Sequence, residues 1–569
     1  MKQIIFVLLS IFVTSKNLYS QEFFKKKQYL KENIGDPLKI PYSFAGNFGE
    51  CRPNHFHSGL DFRTEGKENL PVYAVLDGYI SRIKIEKGGF GNAIYITHLN
   101  GYTTVYAHLN RFYPLLEKYV RDQQYKNKTW KIDIPLLPHQ FIIKKGQLIA
   151  YSGNTGNSSG PHLHLEIRDS KTESPLNPLL FFKVNDTKKP ILKGIAVYNA
   201  DKSIYEQTPN ILQVSNGKLK KDTINVSSKS VYFGVSADDF IQNMPGILGV
   251  FELRLFVNEK PFFAWQLDDI SYDSTRYMNA HADYKHKKLN NQWVQLCAKL
   301  PNDKLNIYKS FSPSNGRVDL SDMKPKKIRI ELYDASYNSN VIEFYIQTDN
   351  KNLTSSSAAT CKYDFKAGAK NKLSNQDISI ELNEDALYDN ICFDYKKIET
   401  NNPYSDEYQI HFSYVPIHSK YKLRIKPKTE IPQNYKSKVA IVRTDNAGNS
   451  KSKNGIAAIV MPSGIEIETN SFGVFKIVID QTPPNINTTL KNNTNISQLK
   501  KISFQVTEET TSLKSCNLYA GEQWLRLVQS GNTFTYELDD NLPKGKNILK
   551  MIAVDENDNT TEKIFIVNR

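Results

Sequence analysis

Cysteine is scarce in this chain, which has five cysteines among 569 residues. So few cysteines exclude a disulfide-based scaffold, and none of them shows the paired spacing of a zinc–thiolate cluster. The odd count leaves at least one thiol unpaired. Cys361 and Cys392 are the closest pair in sequence and could bridge within one module, whereas Cys51 is best interpreted as a small buried residue.

Long apolar runs are also missing. The run from Ile4 to Val13 is too short for a transmembrane helix, which needs roughly 20 residues. It follows a basic start and precedes small residues, so we predict a signal peptide over residues 1–20, cleaved near Ser20-Gln21. We therefore expect an exported protein without a transmembrane segment, located in the periplasm, the cell envelope or the extracellular space.

Acidic residues are fewer than basic ones: the chain has 59 Asp and Glu and 74 Lys and Arg, which gives a formal net charge of +15. A basic protein suits a polyanionic partner. Charge alone does not distinguish nucleic acid from an anionic cell wall. The predicted export argues against nucleic acid.

Residues typical of β-strands are abundant, with 32 Tyr and 29 Phe. Short β-like runs alternate with glycine-containing turns in the first third of the chain. Farther on, Pro-rich joints recur at 184–191 and 478–486, and Asx-rich turns recur at 334–338, 445–449 and 555–559. These marks predict a mainly β protein built from several units.

The predicted units follow one another along the chain. They are a signal peptide at 1–20, an N-terminal lead at 21–40, a β domain at 41–183, and three Ig-like β-sandwich modules at 186–350, 351–478 and 480–569. The modules contain no recognisable catalytic constellation, so we expect them to position the first domain or to bind the wall or an envelope protein. The joint after Phe182 predicts that a fragment ending there folds with its own core.

Seven of the eleven histidines fall in the predicted first domain. His162, His164 and Glu166 alternate, so a strand would place them on one face, where one imidazole could bind a metal and the other could reach a substrate. Glu166 could accept a hydrogen bond from a ligand imidazole. Alone, such a pattern is more often a solvated strand face. Together with His57 and Asp61 it favours catalytic zinc, which takes three protein ligands and leaves one position open.

His108 ends a predicted strand and supplies a further imidazole. We interpret His55, His98 and His139 as surface, packing and insertion residues, respectively. The glycine-rich loop 152–161 lacks a P-loop ending and leads into a strand, so it is better interpreted as a turn that shapes a cleft.

Three sequence blocks occur in the order found in a known family. They are Gly46 to Phe62, which contains His57-Ser58-Gly59-Leu60-Asp61; Gly88 to Asn92 followed by Tyr106-Ala107-His108-Leu109; and Lys145 to Ala150 followed by Ser152-Gly153-Asn154-Thr155-Gly156 and Gly160-Pro161-His162-Leu163-His164. Over about residues 40–180, these blocks resemble the lysostaphin/LytM-type zinc metallopeptidases. The resemblance implies a small antiparallel β domain.

The resemblance also implies a site and an activity. One Zn²⁺ per chain would be held by His57, Asp61 and His164, with His108 and His162 as catalytic histidines. The implied activity is that of a metalloendopeptidase that hydrolyses peptide cross-links between the peptide stems of peptidoglycan during cell-wall remodelling. The alternative is a non-catalytic regulator of the same fold that activates another wall hydrolase. Such members have lost zinc ligands, whereas every ligand position is filled here.

The chain departs from the family between the second and third blocks. An insertion at about 111–143 replaces what is usually a short connection. We expect this insertion to form an extra wall or lid over the substrate groove.

Overall fold

A computed structural model gives the architecture of most of the chain. It describes residues 23–25, 27, 29, 34–349, 361–447 and 453–569. The predicted signal peptide lies outside the described residues, as do much of the lead and residues 448 and 449 of the second Asx-rich turn. In the part described, no helix is both long and apolar enough to cross a membrane.

Short strands and the helix α1 build the first domain. Their bounds are β1 Phe44–Gly46, β2 Cys51–Arg52, β3 His55–Phe56, β4 Leu60–Arg63, β5 Pro71–Tyr73, β6 Gly78–Ile85, β7 Asn92–Thr97, β8 Tyr102–Ala107, β9 Arg111–Phe112, α1 Pro114–Asn127, β10 Ile132–Pro135, β11 Ile142–Ile143, β12 Leu148–Tyr151, β13 His162–Asp169 and β14 Pro175–Leu176.

The main sheet of this domain has the strand order β1-β4-β13-β8-β7-β6-β10, with β14 beside β13 and β11 beside β6. Neighbouring strands are antiparallel. A smaller sheet has the order β5-β12-β9. On β13, Leu163, Leu165 and Ile167 are fully buried in the core. Alternation along β13 therefore turns the residues between them to the opposite face.

Two six-stranded sheets form the first module. Its strands are Ile191–Asn199, Ile211–Ser215, Lys218–Leu219, Thr223–Val226, Ser230–Asp238, Glu252–Val257, Lys260–Gln266, Gln295–Leu296, Tyr308–Ser310, Val318–Asp319, Lys326–Tyr333 and Ser339–Thr348, and its α-helices are Met278–His281 and Tyr284–Asn290. Phe233 and Phe344, from the two sheets, meet edge to face at 5.5 Å, so the sheets share one core.

The remaining strands form the middle and last modules. The middle module contains Asp364–Phe365, Asn371–Ser374, Ile378–Leu382, Ile391–Cys392, Tyr395–Ile398, Glu407–Ile410, Pro416–Ile425, Val439–Thr444, Lys453–Ala457, Ile459–Met461, Gly464–Ser471 and Gly473–Ile479. The last contains Asn485–Asn487, Thr494–Asn495, Lys501–Thr507, Leu513–Ala520, Gln523–Leu525, Leu527–Ser530, Thr533–Glu537, Lys546–Asp555 and Thr560–Asn568. The predicted mainly β architecture with β-sandwich modules is confirmed.

The first domain and the first module share buried surface. Phe48 and Phe56 of the domain are 1% and 2% exposed and belong to the core of the module. Asn47 exchanges two hydrogen bonds of 2.8 Å with the backbone of Gly249. This contact argues against a fragment ending at Phe182 that folds independently, because cutting there would expose both rings.

A disulfide joins Cys361 and Cys392 in the middle module, as their proximity in sequence suggested. Because it closes a loop of 31 residues, Cys392→Ser should lower the free energy of unfolding of this module by about 4 kcal/mol. Urea denaturation measures the loss. Dithiothreitol should lower the stability of the wild type by a similar amount and leave that of the variant unchanged. A wild type whose free energy of unfolding does not change on reduction would contradict the expectation.

Candidate active site

Three neighbouring strands of the main sheet bring the predicted site residues together. In the sheet register His164 on β13 lies opposite Asp61 on β4 and opposite Ala107 on β8. His108 directly follows Ala107, so it also arrives beside His164. His57 lies just before β4, where its backbone N–H donates to the carbonyl of Glu50.

The side chains of His57, Asp61 and His164 converge on one point. Asp61 Oδ1 lies 3.0 Å from His57 Nε2 and 2.8 Å from His164 Nδ1, and the two nitrogens are 3.0 Å apart. All three residues are buried, with exposures of 2 to 4%. Ligand atoms held by one tetrahedral zinc at bonds of about 2.0–2.1 Å lie roughly 3.4 Å apart, so these three atoms would need to spread by only about 0.5 Å to hold the ion.

Hydrogen bonds on the far side of each ring fix where the protons lie. His57 Nδ1 is 2.7 Å from the carbonyl oxygen of Asn47, and His164 Nε2 is 3.1 Å from Glu166 Oε1. Both partners are acceptors, so these ring nitrogens carry the protons and the opposite nitrogens present lone pairs. Two imidazole nitrogens and a carboxylate oxygen that face one point fit a Zn²⁺ ion and could hold one.

The pKa values of the three groups are shifted in different directions. Burial alone would raise the pKa of Asp61, yet the adjacent His57 and His164 hold it well below its usual range. Burial lowers the pKa of His57 to about 4, against the opposing charge of Asp61. Burial also acts on His164, but Asp61 and Glu166 outweigh it and raise its pKa to about 9. A positive charge is therefore favoured at this cluster, which a metal cation can supply.

His108 and His162 form a second pair beside the cluster, with ring centroids 4.7 Å apart. His108 Nδ1 donates to the carbonyl of Thr155 at 2.8 Å, and His162 Nδ1 donates to that of Gly160 at 2.8 Å. Each ring therefore keeps Nε2 as an acceptor, and His162 Nε2 lies 3.6 Å from Asp61 Oδ1. Burial, followed by the positive charge of the neighbouring histidines, lowers the pKa of His108 to about 3.

The glycine-rich loop holds these histidines through close backbone contact. A Cβ on Gly91 would lie 2.4 Å from Thr155 Oγ1, and one on Gly156, whose φ is +73°, would lie 2.3 Å from the nitrogen of Gly91. Only glycine allows this approach. The loop thereby positions the Thr155 carbonyl that orients His108, and residues 157–161 line the cleft, which confirms that the loop shapes it.

Glu166 is the centre of a buried network behind the cluster. Arg168 Nε donates to its Oε2 at 2.7 Å, and the hydroxyls of Ser58 and Tyr272 each donate to its Oε1 at 2.5 Å. Burial opposes ionisation, but Arg168 and then His164 lower the pKa of Glu166 to about 2. The predicted hydrogen bond between Glu166 and a candidate ligand imidazole is thus confirmed.

Two members of this network were missed by sequence reasoning. Arg168 continues the alternation of His164 and Glu166 along β13, so the same period-two pattern could have found it. Tyr272 belongs to the first module, 106 residues from Glu166, and no local pattern marks it. The candidate site is therefore completed by a second folding unit.

The cleft over the candidate cluster has a volume of about 1080 Å³ and includes Tyr272 and Thr275 of the first module. Among the described residues, no part of the insertion lines it. Instead, Tyr125 of α1 donates a hydrogen bond of 2.5 Å to Asp539 of the last module, and its ring packs edge to face on Trp524. The expectation of a lid is wrong, because the insertion faces another module.

The other histidines of the first domain lie outside the candidate ligand cluster. His98 is buried between the carbonyl of Asp77 and the hydroxyl of Thr104, each 2.8 Å away. His55 and His139 are exposed. These positions agree with the packing, surface and insertion assignments made from the sequence.

Two parts of the chain match the profiles of known protein families. Residues 55–125 and 136–178 match the profile of peptidase family M23, and residues 362–480 match that of a Zu5-like domain. The first match contains all five predicted site residues and skips the middle of the insertion. The second covers the middle module.

Curated relatives resemble the first domain. The DD-carboxypeptidase/endopeptidase Mpg of Neisseria meningitidis is 36% identical over 123 residues, which are 22% of this chain and 22% of that protein. The peptidoglycan DD-endopeptidase ShyB of Vibrio cholerae is 32% identical over 112 residues, 20% of each chain. The chain thus spans about a fifth of the length of these relatives.

Solved structures also align with this region. The catalytic domain of lysostaphin from Staphylococcus simulans is 25% identical, with 25% of this chain and 91% of that one covered and a TM-score of 0.18. A zinc-containing peptidase from Vibrio cholerae is 25% identical, with coverages of 26% and 39% and a TM-score of 0.19. By its matched residues and its antiparallel sheet, the first domain of this chain belongs to peptidase family M23.

Proposed function

We propose that this protein is an exported, zinc-dependent metalloendopeptidase that hydrolyses peptide cross-links of peptidoglycan. The convergence of His57 Nε2, Asp61 Oδ1 and His164 Nδ1, with two acceptor imidazoles beside them, carries the proposal. The substrate is suggested by relatives named as peptidoglycan DD-endopeptidases, and export by the signal-like N-terminus. The net charge of +15 suits an anionic wall.

A zinc ion held by His57, Asp61 and His164 would supply a Lewis acid that polarises a peptide carbonyl and acidifies water. The other two histidines would move protons. His162 and His108 each have Nε2 free to accept a proton, since their Nδ1 atoms are engaged by carbonyl groups. One ring accepts the proton of the attacking water; the pair then supports the developing oxyanion and protonates the leaving amine.

The test is a digest of purified peptidoglycan with full-length protein, analysed by liquid chromatography and mass spectrometry. Metal-free protein should leave cross-linked muropeptides intact, and the zinc-restored protein should convert them to uncross-linked products. Zinc-restored protein that leaves the dimers intact but stimulates a second wall hydrolase would instead support the non-catalytic regulator. We propose that the modules hold the domain at the wall or contact an envelope protein.

Glu166→Gln should weaken zinc binding by about 10- to 100-fold. The amide keeps the shape of the side chain but removes the charge that holds the proton on His164 Nε2 and balances Arg168. Competition with a chromophoric chelator measures the affinity. Glu173→Gln is the matched control, because Glu173 also pairs with Arg168 at 3.2 Å but is exposed. Equal affinities of the two variants would contradict the role given to Glu166.

A further inference from the structure

A second group of acidic side chains lies at the joint between the first domain and the first module. Asp186 is in the Pro-rich joint, Asp239 follows the strand Ser230–Asp238, and Asp334 follows the strand Lys326–Tyr333. One oxygen of each carboxylate lies within 4.8 Å of the other two. Asp239 and Asp334 are 3% and 1% exposed. None of the three lines the cleft over the zinc site.

The group lacks a neutralising partner. Oδ1 of Asp239 is buried and has no hydrogen-bond partner among the residues that the structure describes. Within the described residues no lysine or arginine pairs with the three carboxylates, and Lys27, which lines the adjacent cavity, pairs with Asp268 instead. Burial and the charge of Asp334 raise the pKa of Asp239 to about 8. Carboxylates packed in this way repel one another unless a proton or a cation lies between them.

An asparagine ties two members of the group together. Asn338 Nδ2 donates to the carbonyl oxygen of Asp186 at 3.1 Å and to Asp334 Oδ2 at 2.7 Å. Backbone N–H groups of Ser336 and Asn338 donate to Asp334 Oδ1 at 2.8 Å. The acidic group is therefore built by both the joint and the turn before the last strand of the module.

The last module repeats this construction with an equivalent asparagine and two equivalent aspartates. Asn559 Nδ2 donates to the carbonyl oxygen of Asp480 at 3.0 Å and to Asp555 Oδ2 at 2.9 Å. Glu508 completes that group, and its Oε2 is also buried, with no partner in the described part of the chain. The group recurs where the Pro-rich joint and the Asx-rich turn recur in the sequence, which indicates a requirement shared by the two modules.

In the middle module, a lysine side chain provides the positive charge beside the corresponding carboxylate. Its corresponding turn residue, Asp445, pairs with the ammonium group of Lys288 at 2.8 Å and accepts a hydrogen bond from the hydroxyl of Ser413. Lys288 comes from the first module. There a lysine neutralises the carboxylate at a contact between modules. The corresponding residue of the first module, Asp334, forms no ion pair with a lysine or arginine among the described residues; its side chain accepts hydrogen bonds from Ser336 and Asn338.

We propose that Asp186, Asp239 and Asp334 bind a Ca²⁺ ion that fixes the joint between the first domain and the first module. Oxygen-only ligands select hard cations, and Ca²⁺ accepts six to eight oxygens in flexible geometry, so carbonyl and water oxygens can complete the site. Sites of this type in extracellular modules have dissociation constants of about 0.1–1 mM. This site is independent of the zinc site and of the proposed activity.

Equilibrium dialysis of the zinc-loaded full-length protein against about 1 mM CaCl₂ tests the site. The wild type should bind up to one Ca²⁺ per chain more than Asp239→Asn, and the control Asp201→Asn, which alters an exposed aspartate, should match the wild type. Equal binding by the wild type and Asp239→Asn would overturn the proposal. If the wild type bound as much Mg²⁺ from MgCl₂ at the same concentration as it binds Ca²⁺, the choice of calcium would be overturned.

Thermal unfolding separates loss of the site from loss of the fold. Calcium at a hundredfold excess over its dissociation constant should raise the unfolding midpoint of the first module by roughly 5 °C or more. Without calcium, Asp239→Asn should be at least as stable as the wild type, because the substitution removes repulsion between carboxylates. The proposal would be overturned if Asp239→Asn were less stable than the wild type without calcium and if calcium raised the unfolding midpoints of both proteins by the same amount.

Discussion

His164→Ala should lose both bound zinc and peptidase activity. The substitution removes one of three converging ligands and leaves a two-ligand site, which holds zinc poorly. It also removes the imidazole that links the cluster to Glu166. His162→Ala should keep most of its zinc, because His162 contributes no atom to the candidate ligand set, yet its turnover should fall by about a hundredfold or more.

Metal analysis and kcat on soluble muropeptides, measured on the same preparations, separate the two roles. His139→Ala serves as the control, since His139 is an exposed histidine of the insertion. It should match the wild type in both measurements. If the His164→Ala and His162→Ala variants lose zinc to the same extent, the division of β13 into one ligand and one catalytic histidine is wrong.

A fragment ending at Phe182 should fail to fold stably or to hold zinc, whereas one ending at Ile479, which keeps the core shared by the first and middle modules, should do both. The shorter fragment exposes Phe48 and Phe56, which the first module buries, and each exposed ring costs roughly 1.5–3 kcal/mol. It also lacks Tyr272, whose hydroxyl donates to Glu166 at 2.5 Å. Circular dichroism and zinc content of the two fragments provide the measurement.

A full-length Tyr272→Phe variant isolates the contribution of the hydroxyl from that of the buried surface. It should fold normally and show weaker zinc binding than the wild type, because Glu166 loses one hydrogen bond. A fragment ending at Phe182 that is folded, zinc-loaded and as active on soluble muropeptides as the full chain would contradict the dependence of the site on the first module.

The local parts of the candidate site were predictable from the sequence. Alternation on β13 placed His162, His164 and Glu166 on one face, because strand geometry depends only on adjacent residues. The pairing of Asp61 with His164 required the family resemblance, since the two residues are 103 positions apart and spacing alone does not specify which strands become neighbours.

Long-range contacts were not predictable. The insertion carries no signal that α1 packs on the last module, where Gln124 is buried against Arg526. Nor does the sequence mark Tyr272 as a partner of Glu166. Such contacts depend on how whole modules dock, and docking is decided by complementary surfaces that become defined only after each module has folded.

The most direct test is a zinc titration of metal-free full-length protein with cross-linked muropeptide dimers as the substrate. The initial rate of dimer cleavage should rise linearly with added zinc and level off at one equivalent per chain, since His57, Asp61 and His164 offer one site. A cleavage rate that does not depend on zinc, or zinc bound at one equivalent without any cleavage, would contradict the proposal that this protein is a zinc peptidase.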